Sequence, residues 1–495
     1  MDKLSLLILI PLFTALLMLF AKDKLLIKRI ALAGAVLQMF YSILLIVSFI
    51  NSERSSQFLF VKSISWYKTL NIDFISGIDG ISVSMILLTS IVVLAGVLVS
   101  WDINERVKDY FLLLSLLSIG AYGFFISLDL FVMFFFLELA VIPKYLLIAI
   151  WGSGKKEYSA MKLALLLMTG SALILIGILL IYFRCETQTF NIVKLAEVGI
   201  PVELQRISFP LIFTGFGIFT ALFPFHTWVP DGHSSAPTAA SMFLAGISMK
   251  LGGYGCLRAA AYLMPQATVE YSKIIVLLSV IAIFYGAFAT LMQKDLKYMN
   301  AYSSVSHCGF ILLGIGMLNH TSINGAVIQM ISHGLMTALF FASIGMIYKR
   351  THTRKIDELG GIIKSMPFIG STFIIAGLCS LGLPGFSGFV AEMTIFIGAW
   401  QNEGMFYKVS TIIACASIVI TAVYILRASA KAITGKVAKE EFENLKDADF
   451  NEKSASVLLI IAILLIGFTP FLLINLINQD TFIISENFFK IITSK

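Results

Sequence analysis

The chain has 495 residues, of which 58 % are hydrophobic and only 13 % charged, with a mean hydropathy of +0.91. No water-soluble globule hides that much apolar surface, so the composition excludes a soluble enzyme and leaves a polytopic membrane protein. The net charge of +7 fits helices anchored at an anionic leaflet of the lipid bilayer; no Lys/Arg stripe with interleaved aromatics points to nucleic acid.

Stretches of about 20 apolar residues, enough to cross about 30 Å of hydrocarbon at 1.5 Å per residue, recur along the chain. They fall at 4–20, 30–50, 80–100, 110–127, 130–151, 160–183, 208–226, 239–262, 273–292, 300–318, 323–347, 368–398, 408–427 and 455–477. The expected fold is all-α, with about 14 transmembrane helices. The first window has no basic n-region beyond Lys3 and no small-residue cleavage site, so it reads as a retained helix rather than a removed signal. Residues 51–79, containing FLFVKSISWYKTL, suggest an extracytoplasmic hairpin or amphipathic element.

With the N-terminus outside, the inner connections collect most of the 36 basic residues, among them Lys22, Lys24, Lys28, Arg29, Lys155, Lys156, Lys162, Lys294, Lys297, Lys349 and Arg350. The positive-inside rule then places both termini outside.

Four ionisable residues fall inside windows. Glu138 and Lys144 lie in the fifth, FFFLELAVIPKYLL, Lys250 in the eighth and Glu392 in the twelfth. A charge at bilayer depth costs at least a few kcal/mol, so such groups face a protein interior or a hydrated path. Glu138 and Lys144 are about 9 Å apart along a helix axis and about 120° apart around it, so they are not an i,i+4 pair. Arg258, eight residues after Lys250, reads as an anchor at the end of its helix.

Two windows are interrupted. The seventh ends in ALFPFHTWVPDGHSSAPT, with Pro224, Pro230, Gly232 and Pro237; the twelfth contains GLPGFSGF, with Pro384 among Gly382, Gly385 and Gly388. Broken backbone at membrane depth is tolerated only where it is buried in protein or lines a wet cavity. Breaks five spans apart point to two inverted five-helix repeats, spans four to eight and nine to thirteen. The chain divides accordingly into 1–109, 110–262, 263–427 and 428–495, with 428–454 read as a solvated connecting helix.

His226 and His233 flank the first break, His307 lies in the tenth window and His333 in the middle of the eleventh. Histidine titrates near neutrality and relays protons, although a lone helical histidine also serves as hydrogen-bonded packing. Five scattered cysteines without a CxxC pair offer no disulfide framework, zinc site or iron–sulfur site.

FPFHTWVPDGHSSAPTAASMFLAGISMKLGGYG, followed by DLKYMNAYSSVSHCGF, ISHGLMTALFF and GLPGFSGFVAE, resembles the antiporter-like proton-pumping subunits of respiratory complex I. That family includes Mrp sodium/proton antiporter subunits and the membrane arms of related hydrogenases. Glu392, where other branches usually carry lysine, resembles the M-type branch. The resemblance implies fourteen spans and a multi-pass subunit of the bacterial inner membrane, with both termini periplasmic and L-type and N-type neighbours. It also implies that NADH, FMN, iron–sulfur clusters and quinone are held by partner subunits and none by this chain. The alternatives are an Mrp-type antiporter subunit, a membrane-bound hydrogenase subunit, or a non-pumping spacer.

Carried over by position, Glu138, Lys250 and Glu392 match the family's buried glutamate, lysine and terminal carboxylate, with His226, His307 and His333 as candidate relays. One departure stands out: the family's seventh-span lysine, seven residues before the histidine of FPFH, is Phe219 here. Lys144 either replaces it from a neighbouring helix or snorkels to an interface. Replacement requires its amine within about 7 Å of the Phe219 side chain or of a cavity joining Glu138 to Lys250, a span one water bridges.

Overall fold

The computed structural model describes residues 3–54 and 56–494. The first two helices, α1 (Ser5–Phe20) and α2 (Lys24–Ile50), precede an antiparallel hairpin, β1 (Leu59–Tyr67) and β2 (Ile72–Ile78), that pairs Ser63 with Ile75 and Ser65 with Asp73. Asn71 turns the hairpin in the left-handed region at φ 50°, a conformation asparagine tolerates better than most residues. The expected hairpin is therefore present.

Helices α3 (Gly80–Val99), α4 (Val107–Ile126), α5 (Leu130–Trp151) and α6 (Lys156–Arg184) follow. Side-chain caps start several of them: Asp79 and Ser82 form a reciprocal capping box on α3, and Asp129 accepts from the amides of Phe131 and Val132 at the start of α5. Each cap satisfies amides that have no partner within the helix.

After the short α7 (Ile192–Val198), the seventh span breaks as expected. α8 (Val202–Thr220) ends where Ala221 turns left-handed, and the chain resumes as α9 (Trp228–Ser235). The break is stapled, since the Trp228 indole donates to the Ile218 carbonyl at 2.9 Å. The eighth span is irregular too: α10 (Thr238–Phe243) and α11 (Met249–Gly255) are separated by a π turn at Leu244–Ser248, and a second follows at Cys256–Ala261.

Next come α12 (Pro265–Leu291), α13 (Leu296–Gly316), α14 (His320–Thr351) and the single turn α15 (Ile362–Ser365). The twelfth span splits into α16 (Pro367–Ser380) and α17 (Ser387–Gln401), with Gly382 and Gly385 at φ +71° and +95° between them. Those angles suit glycine, which lacks the Cβ that penalises positive φ. The chain ends with α18 (Met405–Ala428), α19 (Phe450–Phe468) and α20 (Pro470–Thr493).

Ten helices among the described residues are long and apolar enough to cross a membrane. The remaining windows fall on helices that are shorter, broken or more polar. α14 is the axis of the molecule: 94 % of its apolar window is buried, against 28 % for α2, and it packs on α3, α10, α13, α16, α17, α19 and α20.

Three expectations need correction. Residues 428–454 form no connecting helix: between α18 and the start of α19 at Phe450 the chain makes a π turn at Ser429–Ile433 and a 3-10 turn at Glu440–Phe442. The Lys446 and Asp447 carbonyls instead accept from Arg350, at 2.6 and 3.0 Å, a local alternative to helical bonds. The fourteenth window, 455–477, is two helices because Pro470 restarts the chain as α20 against α3, α12 and α14. Arg258 is no terminal anchor either: it is buried, pairs with Asp79 and lies over the rings of Phe58, Tyr254 and Tyr262.

Candidate functional site

The π turn ahead of Lys250 creates the first element of the site. A π turn displaces the i→i−4 ladder by one residue, and the Lys250 ammonium bonds the carbonyl of Ala245, five residues back. Its Nζ also lies 2.8 Å from His333 Nδ1 on α14. With the ammonium donating, that nitrogen accepts and the proton of the neutral ring sits on Nε2, which has no partner among the described residues.

The series continues on the other side of His333. Its ring centroid is 5.4 Å from that of His307 on α13, and Cys308 Sγ approaches its Nδ1 at 3.8 Å. His307 meets Glu392 Oε1 at 3.5 Å, Ser380 Oγ at 3.0 Å and Gln329 Nε2 at 3.3 Å. Ser332 and Ser387, 2.8 Å apart, tie α14 to the start of α17 beside them. Lys250, His333, His307 and Glu392 are all buried, so α11, α14, α13 and α17 each bring one titratable group to a single interior line.

Outward from Glu392 the packing is dry. Phe310 and Phe396 meet edge to face at 5.5 Å within a cluster that includes Ile283, Leu313, Met317 and Ile395.

Glu138 and Lys144 stand apart from that line. Glu138 is half-buried on α5 and accepts from Ser171 of α6. Lys144 is buried, and its amine has no hydrogen-bond partner among the described residues. It sits 5.7 Å from the ring centroid of Phe219, inside the distance that replacement requires, and within electrostatic reach of Glu138. His226 joins neither group; it stacks on Phe223 and meets Tyr285 edge to face, with centroids 5.5 and 4.9 Å away.

Sequence reasoning missed two buried residues. Lys297, taken as an inner-face anchor, is buried in the first turn of α13 and donates to Ala236 O at 2.7 Å. His233, noted only as flanking the break, is buried, and among the described residues neither ring nitrogen has a hydrogen-bond partner. For His233 the usable signal was its nearness to the break in the long motif; Lys297, 61 residues beyond Ala236, carried none.

One acidic trio, Asp102, Asp449 and Glu452, has ligand atoms close enough for a metal. Lys349 occupies its centre, 3.3 Å from Asp449 and 3.1 Å from Glu452 and paired with Asp102, so the trio is a charge-balanced staple.

A bundle of apolar helices with two broken spans and an interior line of titratable groups defines a multi-pass membrane protein of the ion-translocating kind. Residues 127–421 match the family described as NADH:quinone oxidoreductase/Mrp antiporter, TM, and the chain belongs to that family. It is 36 % identical over 462 residues to the NADH-quinone oxidoreductase subunit M of Rickettsia prowazekii, covering 92 % of both chains. It is 37 % identical over 422 residues to NAD(P)H-quinone oxidoreductase chain 4 2 of Thermosynechococcus vestitus, covering 84 % of this chain and 79 % of that one. Its fold is that of a chain in the structure of respiratory complex I from Thermus thermophilus with bound NADH. There the TM-score is 0.89 at 24 % identity, over 98 % of this chain and 99 % of the other. The resemblance read from the motifs is thereby established, including its M-type character.

Proposed function

We propose that this chain is the M-type proton-translocating subunit of a respiratory complex I membrane arm. Protons move along Glu138, Lys144, Lys250, His333, His307 and Glu392. Electron transfer takes place elsewhere; NADH, FMN, iron–sulfur clusters and quinone belong to partner subunits, and this chain contributes translocation to the enzyme. L-type and N-type subunits flank it in a bacterial inner membrane, with both termini on the periplasmic side. The half-buried Glu138 lies on a flank that such a neighbour covers.

The observation that carries this reading is the Lys250–His333–His307–Glu392 line. Two unit charges 4 Å apart interact by about 4 kcal/mol at an effective dielectric of about 20. Since about 1.4 kcal/mol is one pK unit, moving one proton shifts the next site's occupancy by roughly a thousandfold. A change at Glu138 therefore reaches Glu392 by successive steps, each biasing the next. Lys144 supplies the amine that Phe219 cannot, which favours a pumping subunit over a spacer.

The test is Glu138→Gln in the assembled complex. Assembly is expected to persist while quinone reduction coupled to pumping falls strongly; a normal proton gradient in that variant would refute the assignment. Sodium-driven transport in vesicles would favour the Mrp-type antiporter alternative.

A further inference from the structure

We propose that Lys297 and His233 form the inner-face intake of the proton path, carrying protons from a cleft at Asp231 to Lys250. This rests on the translocation reading above and adds two carriers to it.

The cleft, about 380 Å³, is lined by Tyr158, Asp231, Ser234, Ser235, Tyr298 and Arg354 among others. It opens on the face that carries Lys155 and the Lys349 staple. Asp231, on the short helix after the seventh-span break, pairs with Lys162 at 2.7 Å and receives Tyr298 OH at 3.3 Å. Behind it the chain turns inward to Lys297.

Lys297 has an unusual setting. Its neighbours Arg354 and Asp295 pair with each other at 3.2 Å, so its buried ammonium is left with the Ala236 carbonyl. Ala236 lies three residues beyond His233, and α9 packs on α13 there. The His233 ring lies flat on Phe341 with centroids 4.9 Å apart, within electrostatic reach of both Lys297 and Lys250.

An imidazole held only for packing has no reason to bury two unbonded nitrogens, each costing of order 1–3 kcal/mol. A relay ring needs both nitrogens free. Through a bridging water on each side, the Lys297 ammonium gives its proton to one nitrogen of neutral His233, and the resulting imidazolium releases the proton of the other nitrogen to the Lys250 amine. The ring is left neutral in its other tautomer, and water in the cleft reprotonates Lys297. One proton has moved inward and no other bond has changed.

The test uses the assembled complex in inverted membrane vesicles, comparing Lys297→Arg, His233→Gln and Glu138→Gln. Arginine keeps the charge and the donor but does not deprotonate in proteins, so it rescues a structural ammonium and not a carrier. Lys297→Arg and His233→Gln are expected to assemble and to lose roughly tenfold or more of coupled proton transfer. Their pumping should also show an altered pH profile. Wild-type pumping in both, with Glu138→Gln impaired, overturns the intake alone; wild-type pumping in all three overturns the translocation reading itself.

A second measurement leaves the interior intact. Tyr158→Cys on the exposed rim of the cleft, labelled from the inner face with a bulky thiol reagent, should stop pumping. Full pumping after complete labelling sinks the proposal even if the interior variants fail to assemble.

Discussion

The two halves of the molecule handle buried charge differently. Around His307 and Glu392, groups from four helices approach within 2.8 to 3.5 Å of one another or, for the two tilted imidazole rings, with centroids 5.4 Å apart. Around Glu138 and Lys144, the carboxylate accepts from Ser171, and the amine lies over the Phe219 ring with no hydrogen-bond partner among the described residues. The second half is a connected wire. The first half is a pair of charges set apart from that wire, with the buried Phe219 ring under the amine. The weight of control over a proton crossing from one half to the other therefore falls on Lys144.

That contrast is broken most directly at Lys144. Lys144→Met is expected to lower coupled activity by about a hundredfold, the lower range for a positioned acid–base group. The double variant Lys144→Met with Phe219→Lys should recover part of it. Quinone reductase rates with and without a protonophore make the comparison; an unimpaired single variant would return Lys144 to the role of filler.

The connected half is sharpened next. His333→Phe removes the acceptor of the Lys250 ammonium and is expected to cut pumping by about tenfold, while leaving the Glu138–Ser171 contact in place. If pumping falls no further than in His226→Phe, the wire does not run through His333.

Smaller effects are expected at the end of the wire. Glu392→Ala should reduce pumping several-fold, and Glu392→Asp should retain part of it, because a shorter carboxylate beside the glycine break still reaches hydrating water. Pumping at the wild-type rate with alanine would place release elsewhere. The smallest effect is expected at His226, stacked among aromatic rings outside both groups. His226→Phe should keep pumping within about twofold, a change in packing rather than in proton transfer; a larger drop would extend the path to the seventh-span break.

The sequence by itself determined a membrane bundle, the hairpin, the two broken spans and the family. Hydrophobic run length, turn residues and proline are local signals, and a charge inside an apolar run is conspicuous whatever surrounds it. Glu138, Lys250 and Glu392 were legible for that reason. The π turn that presents Lys250 was not, because a displaced hydrogen-bond ladder depends on packing around glycine-rich segments rather than on composition.

Tertiary structure alone decided which groups meet. Lys250 and His333 are 83 residues apart and His307 and Glu392 are 85, and no periodicity within one helix fixes how another helix is rotated against it. The same limit hid Lys297. A lysine at the start of a helix looks like an interfacial anchor, and only the broken seventh span folding over it makes it an interior group. Arg258 and α20 follow the same rule, since a buried partner for one and a docking face for the other are supplied by Asp79 and α14, far away in the chain.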